Sequence, residues 1–217
     1  MNYFFLSKTQ LFRGTDEDEI KAMLNCFGAS TKRFEKGETI FHAGDVIDHI
    51  AMVLDGSITI ENDDIWGNRS ILNHIEPGML FGETYACIMG TPMLVNAVAA
   101  KKSAVLFLNI GKVLKICPNS CGFHNKIVTN LLHISAEKNL HLSQRILHTS
   151  SKTIRGRLLS YFSEQVQKHG SYRFTIPFNR QQLADYLNVD RSAMSNELSK
   201  MKADGILDFE KNTFTLF

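Results

Sequence analysis

The chain has 217 residues, a formal charge of +2 and 44% hydrophobic residues. That is enough to bury one large core or two smaller ones, and the near-neutral bulk charge argues neither for nor against a nucleic-acid partner. No stretch approaches the roughly 18–20 apolar residues that a membrane-spanning helix needs. The first segment, Met1–Phe12, carries Lys8 and lacks a charged head followed by a long apolar run, so no signal peptide and no membrane partner are expected, and the protein reads as cytoplasmic. Cys26, Cys87, Cys117 and Cys121 are then reduced thiols.

In chain order, Thr15-Asp16-Glu17-Asp18 resembles a capping box, and Ile20, Met23 and Leu24 follow at helical spacing, which predicts a short helix. From Lys32 to about Asn109, β-prone runs alternate with glycine turns. The runs are Thr39–His42, Ile50–Leu54, Ile58–Glu61, Ser70–Ile75, Asn96–Ala99 and Ala104–Leu108. Many short strands punctuated this way predict an all-β roll, barrel or sandwich. After Pro118 the pattern changes. Gly122–Leu147 has no proline and no internal glycine, and Phe123, Ile127, Leu131, Ile134 and then His141 or Leu142 recur at helical spacing, with Leu132 and Leu140 widening the stripe. A helix of about 36 Å does not fit inside a small roll. It must bury its stripe on something: a second copy of itself is the expected partner, and packing wholly within one chain is the alternative. A second helix is predicted from about Thr153 to Lys168, ending at His169-Gly170-Ser171.

The segment Phe178–Asp204 is the most informative. Asn179 caps a helix with Gln182 reaching back. Leu183, Ala184 and Leu187 face inward, and Ala184 is small enough for two helices to cross closely. Asn188 stands where a tight turn needs a residue tolerant of the left-handed region. Val189 plugs the core and Asp190 caps the next helix. On that helix Met194, Leu198 and Met201 point inward, while Arg191, Ser192, Ser195, Asn196 and Ser199 share the opposite face. Short polar side chains behind an N-terminal arginine suit insertion into the major groove of double-stranded DNA. Phe209–Phe217 reads as a two-stranded wing turning at Lys211-Asn212. Basic residues also concentrate here, with ten Lys and Arg against seven Asp and Glu between His148 and Phe217.

Taken together, Lys36-Gly37-Glu38-Thr39-Ile40-Phe41, Gly44-Asp45, Val53-Leu54-Asp55-Gly56, Pro77-Gly78, Phe81-Gly82-Glu83 and the stretch from Arg180 through Asp190-Arg191-Ser192 to Gly205-Ile206 resemble the catabolite-activator and fumarate-nitrate regulator (Crp/Fnr) family from end to end. The resemblance implies an α+β chain. Residues 1–118 form a double-stranded β-helix, or jelly-roll, of the cyclic-nucleotide-binding kind, 119–147 a dimerisation helix and 148–217 a winged helix-turn-helix. It implies a homodimer joined through Phe123, Ile127, Leu131, Ile134 and Leu142, switched by a small effector, with RNA polymerase as a further partner if the regulator is an activator. Arg180 matches a phosphate-contacting residue of relatives.

The effector pocket implied by the resemblance comprises Gly82, Glu83, Thr84, Tyr85, Val95, Asn96, Ile134, Lys138 and Asn139. In cyclic-AMP-binding members an arginine here pairs with the cyclic phosphate, a contact of roughly 1.5–3 kcal/mol. This chain instead reads Pro92-Met93-Leu94-Val95-Asn96-Ala97, with no Arg or Lys before Lys101, so the effector is expected not to be cyclic AMP. An N-terminal cysteine cluster for iron–sulfur binding is absent, and Thr84-Tyr85 stands where haem-binding members place a histidine, so no metal, haem or cluster is expected. The recognition helix departs too: Ser192 and Asn196 replace a common Glu and Arg.

Two other classes fit the sequence less well. A metal cupin needs a His-x-His pair, whereas His42, His49 and His74 are scattered, so no enzyme is expected. A cyclic-nucleotide-type module acting on a partner other than DNA would not need the winged helix.

Overall fold

The computed structural model describes residues 1–63, 69–114 and 122–217. The chain divides into two compact units, Met1–Ala136 and Glu137–Phe217. The division falls inside the long helix, whereas the sequence placed a boundary after Leu147.

The first unit opens with helices α1 (Tyr3–Ser7) and α2 (Glu17–Cys26). The cap of α2 is Asp16 rather than Thr15: its carboxylate accepts from the Glu19 N–H at 2.8 Å, and Glu19 accepts from the Asp16 N–H at 3.1 Å. Thr15 donates instead to the Phe12 carbonyl at 2.6 Å. Eight strands follow: β1 (Ser30–Phe34), β2 (Thr39–Phe41), β3 (His49–Asp55), β4 (Ile58–Asp63), β5 (Arg69–Ile75), β6 (Leu80–Phe81), β7 (Asn96–Ala99) and β8 (Ser103–Asn109). Helix α3 (Glu83–Cys87) sits between β6 and β7, and α4 (Ile110–Leu114) follows β8. The strands form two antiparallel sheets, ordered β1-β8-β3-β6 and β2-β7-β4-β5. Gly56 turns the chain from β3 into β4 at φ +89°, and a Cβ there would lie 2.5 Å from the Lys102 carbonyl oxygen. Only glycine fits so close to a neighbouring backbone.

Alternation along β3 and β8 explains why two cores lie on either side of one sheet. Ala51, Val53, Val105 and Phe107 face the interior of the roll, packed with Phe34, Phe41, Ile58, Ile75, Phe81, Met93, Ala97 and Ala99. Ile50, Met52, Leu106 and Leu108 face the other way, onto Leu6, Leu11, Phe12, Ile20, Met23, Leu24 and Phe27 of the N-terminal segment. A sheet covered on both faces reads as a continuous apolar run rather than an alternating one.

The long helix α5 (Gly122–Thr149) completes that outer core. Ile127, Leu131 and Ile134 are buried in it. Lys126 donates to the Gly14 carbonyl at 3.0 Å and pairs with Glu19 at 3.2 Å, and Asn130 donates to the carbonyls of Leu11 and Arg13, each at 2.9 Å. The expectation that Ile127, Leu131 and Ile134 face a second copy is therefore corrected. The N-terminal helices supply within the chain the cover that the roll alone lacks. The Phe123 side chain lies outside the described residues. Leu142 is exposed, together with Val128, Leu132, Leu140, Ile146 and Leu147. Val128, Leu132, Ser135, Asn139, Leu142 and Ile146 are spaced alternately four and three apart, a heptad seam on the face turned away from the core.

The second unit carries α6 (Ile154–His169), β9 (Arg173–Thr175), α7 (Arg180–Leu187), α8 (Arg191–Ala203), β10 (Leu207–Glu210) and β11 (Thr213–Leu216). Its sheet is ordered β10-β11-β9, so a strand unseen in the sequence, β9, joins the wing. Leu158, Phe162, Phe174, Leu183, Leu187, Met194, Leu198, Met201 and Phe214 form its core.

The two faces of α5 separate in unfolding experiments. Leu131→Ala should cost about 2–5 kcal/mol, the usual penalty for truncating a packed leucine. Leu132→Ala, on the exposed face of the same helix, should leave the denaturation midpoint of the dilute monomer close to wild type.

Candidate nucleic-acid interface and effector pocket

Helix α7 starts where Asn179 accepts from the Gln182 N–H and Gln182 accepts from the Asn179 N–H, both at 2.9 Å. It ends at Asn188, whose φ of 52° turns the chain in the left-handed region. The Val189 N–H closes the turn onto the Ala184 carbonyl at 3.0 Å. Asp190 then caps α8, accepting from the Ala193 N–H at 2.8 Å and from the Ser192 hydroxyl at 2.5 Å. The Ser192 hydrogen bond, with the Ala193 amide, holds the Asp190 carboxyl below the ordinary aspartate value.

Met194, Leu198 and Met201 of α8 are buried, and Arg191, Ser192, Asn196 and Ser199 are exposed, with Ser195 half-buried between them. Not all of this face is free to donate. Ser192 is bound to its own cap, Ser195 donates to the Arg191 carbonyl at 2.9 Å, and Ser199 donates to the Ser195 carbonyl at 3.1 Å. These serines present oxygens that accept. Among the described residues, the side chains of Arg191 and Asn196 have no intramolecular hydrogen bond. These are the two side-chain types that pair bidentately with guanine and adenine edges.

Three arginines support this face, and sequence reasoning missed all of them. Arg145, on the last turns of α5, donates through Nε to the Tyr186 carbonyl and through a terminal nitrogen to the Asp185 carbonyl, both at 3.0 Å. Arg157 on α6 donates to the carbonyls of Leu187 at 3.0 Å and Asn188 at 2.7 Å. Arg155 reaches α8 itself, meeting Glu197 at 2.5 Å and Asp204 at 2.8 Å. Those bonds raise the Arg155 guanidinium above its ordinary value, and they account for an acid at a position of α8 where the motif often has an apolar residue. Gly156 lets the Ser150–Thr153 link fold against the start of α6, since a Cβ there would lie 2.1 Å from the Ser151 hydroxyl.

Arg180, the first residue of α7, is stacked between wing rings, 4.8 Å from the centroid of Phe209 and 5.0 Å from that of Phe214. Burial pulls its guanidinium down from the ordinary value. Nη1 is buried, and among the described residues the group donates no hydrogen bond. The wing thus holds a cation whose donors are unspent.

In the roll, Gly82 adopts φ 77° at the start of α3, and Glu83 is a buried carboxylate beside Thr84, whose hydroxyl lies 3.4 Å away. Burial, followed by the charge of Glu83, pushes the nearby Cys87 thiol upward. Tyr85 and Val95 pack against the interior cluster, and the Tyr85 hydroxyl accepts the Leu94 N–H at 3.3 Å. Asn96 accepts from the Ala43 N–H at 2.8 Å and donates to Asp63 at 3.1 Å, so it braces a turn. Ile134 belongs to the outer core rather than to the roll interior, which corrects its assignment to the pocket. Lys138 and Asn139 fall in the second unit.

A cyclic nucleotide-binding domain model matches residues 31–120, and a Crp-like helix-turn-helix domain model matches residues 156–216. The chain belongs to the Crp/Fnr family. Transcriptional activator protein FnrL of Cereibacter sphaeroides is 21% identical over 203 residues, covering 82% of this chain and 73% of FnrL. The catabolite activator protein of Thermus thermophilus has the same fold, with a TM-score of 0.52 and 21% identity over 96% of this chain and 94% of that one. CprK complexed with OCPA gives a TM-score of 0.62 at 18% identity, over 89% of this chain and 90% of that one. Crp/Fnr proteins are transcription regulators that bind DNA and act as dimers. Within the described residues, no helix is long and apolar enough to cross a membrane.

The Arg155–Glu197 pair gives this Crp/Fnr chain a private test. Arg155→Met leaves Glu197 against α6 without its cation and should lower both the melting temperature and the affinity for DNA. Adding Glu197→Leu removes the orphaned charge and should restore both, because replacing two partners together costs far less than removing one. A double-mutant cycle on melting temperature and DNA affinity measures this.

Proposed function

We propose that this regulator is a homodimer whose α5 helices pair along Val128, Leu132, Asn139, Leu142 and Ile146, and that its two α8 helices read a near-palindromic DNA site. The dimer is switched by a small effector in the roll that is not cyclic AMP. The observation that carries the DNA reading is the outward face of α8, where Arg191 and Asn196 keep their donors unspent above a helix pinned by its cap and by Arg155. RNA polymerase is a further partner if the protein activates transcription, as the Cereibacter relative does. The protein acts by binding, as the transcription regulators of its family do.

The residues divide by role. Arg191 offers two hydrogen bonds to a guanine edge and Asn196 two to an adenine. Arg180 supplies a backbone phosphate contact, which positions the protein without reading sequence. In the roll, the segment Gly82–Asn96 contains no cation, and the Leu94 N–H is already given to Tyr85. A cyclic phosphate would find neither charge nor that donor. A neutral or aromatic ligand contacting Glu83 or Tyr85 fits this lining better.

A binding selection on random DNA, repeated across a salt series, tests the reading. Half-sites should recur about one helical turn, roughly 34 Å, apart. Arg191→Ala should cost about 1–3 kcal/mol per half-site and relax preference at one base position. Arg180→Ala should weaken all sequences alike and lower the salt dependence by about one phosphate contact per subunit. An unchanged motif and affinity in Arg191→Ala would remove α8 as the reading head.

Two solution measurements address the other parts. Leu132→Asp or Ile146→Asp should move sedimentation from dimer toward a 24.5 kDa monomer, since each puts a charge into the seam. Calorimetry with cyclic AMP should register weak binding or none, and micromolar affinity would overturn the pocket reading.

A further inference from the structure

The link between α5 and α6, Ser150–Thr153, is four residues long and has the form of a swivel. The side chains on either side of it are bound to one another. Arg145, before the link, donates to the carbonyls of Asp185 and Tyr186 on α7, and its guanidinium lies 5.9 Å from the Tyr186 ring centroid. His148, also before the link, is buried. Its Nε2 lies 2.6 Å from the Glu164 carboxylate and its Nδ1 lies 3.1 Å from the Ser160 hydroxyl, both on α6. A carboxylate only accepts, so Nε2 carries a proton directed at Glu164. Tyr161 meets the imidazole edge to face at 5.6 Å, and Tyr186 lies 6.0 Å away. Burial pushes both phenols upward, so both are neutral walls of this pocket.

We propose that Arg145 and His148 are positioning residues that weld the end of the dimer helix to the reading head, so that the direction of α5 sets the spacing of the two recognition helices. This rests on the dimeric, palindrome-reading function proposed above. Arg145 holds α7, the helix that carries the turn into α8, and His148 holds α6. Two attachments at separate points on the head remove both swing and twist about the link. A head free to rotate would accept half-sites over a range of separations, whereas a welded head accepts one. Inserting two base pairs turns one half-site by roughly 70° and moves it by about 7 Å relative to the other, which a welded dimer cannot follow.

The test uses the full-length protein and the palindrome recovered by the selection, respaced by one and by two base pairs in either direction. Wild type should lose affinity by about tenfold or more on respacing, the loss expected when one half of a bivalent contact is given up. Arg145→Met combined with His148→Leu should bind the original spacing more weakly and the respaced sites nearly as well, with the same base preferences within each half-site. Arg145→Lys, which keeps a cationic donor, should restore part of the spacing discrimination. Arg155→Met is the contrast: it removes the brace between α6 and α8 within the head and should weaken every spacing alike. The proposal fails if the double variant, folded by its circular dichroism and melting curve, keeps the wild-type spacing profile. It also fails if the variant loses affinity uniformly, as Arg155→Met does. If wild type itself shows no spacing preference, the dimeric reading falls, and that result is read from the wild-type control alone.

Discussion

An eight-residue helix in the middle of a small domain leaves its last carbonyls without partners, and α7 ends where the DNA-binding unit must change direction. Helix ends buried without partners are costly, and cations at the C-terminus also meet the negative end of the helix dipole. Here the carbonyls of Asp185, Tyr186, Leu187 and Asn188 accept from two guanidiniums that come from different helices, Arg145 on α5 and Arg157 on α6. Much of the second unit follows from this. With the carbonyl end fixed, Asn188 can hold its left-handed turn, Val189 closes onto Ala184, and Asp190 starts α8 in a set direction. The placement of the reading face is thus a consequence of how one short helix is terminated.

The long helix has three obligations, and its sequence divides to meet them. Ile127, Leu131 and Ile134 close the outer core of the first unit. Arg145 and His148 are committed to α6 and α7. The remaining apolar face is left for the second copy in the proposed dimer. The composition of that face is uneven. Val128 and Leu132 lie toward one end and Leu142 and Ile146 toward the other, while Ser135 and Asn139 occupy the middle. A polar residue inside an otherwise apolar seam weakens association but fixes register and strand number. For a regulator this trade is favourable, because two reading heads in a slipped register would face the wrong half-sites.

Local signals made much of this legible in the sequence. The caps at Asn179 and Asp190, the small Ala184 and the turn at Asn188 all fall within the twelve residues from Asn179 to Asp190, and each was readable by residue type. The strands β2, β3, β4, β5, β7 and β8 follow apolar or β-branched runs. Strand β1 does not: Ser30, Thr31, Lys32 and Arg33 are exposed, and it exists because it pairs with β8. Strand β6 is two residues long and has no period to detect. The face of α5 was misjudged for a different reason. Two apolar stripes run along it, and periodicity ranks stripes without saying which is covered from within the chain. The arginine supports were invisible because a guanidinium reaching a backbone carbonyl about forty residues away leaves no mark on the sequence of the acceptor.

In the proposed reading, the roll keeps the family's frame but not its cyclic-nucleotide ligand. Gly82 keeps its left-handed turn and Glu83 its burial, so the backbone of the site is retained. What differs is what fills it. Phe41 lies 5.8 Å from Phe81 and 5.9 Å from Phe107, and Tyr85 and Val95 extend that aromatic lining toward the Leu94 backbone. Leu94 gives its amide to the Tyr85 hydroxyl, and Asn96 is held by Ala43 and Asp63. A ligand competing for this space must displace one neutral hydrogen bond and meet apolar rings and a carboxylate. A charged cyclic phosphodiester would lose its hydration there with no cation to offset the loss. The effector proposed for this roll therefore has an aromatic body and a donor aimed at Glu83, because such a ligand loses little water on meeting these side chains.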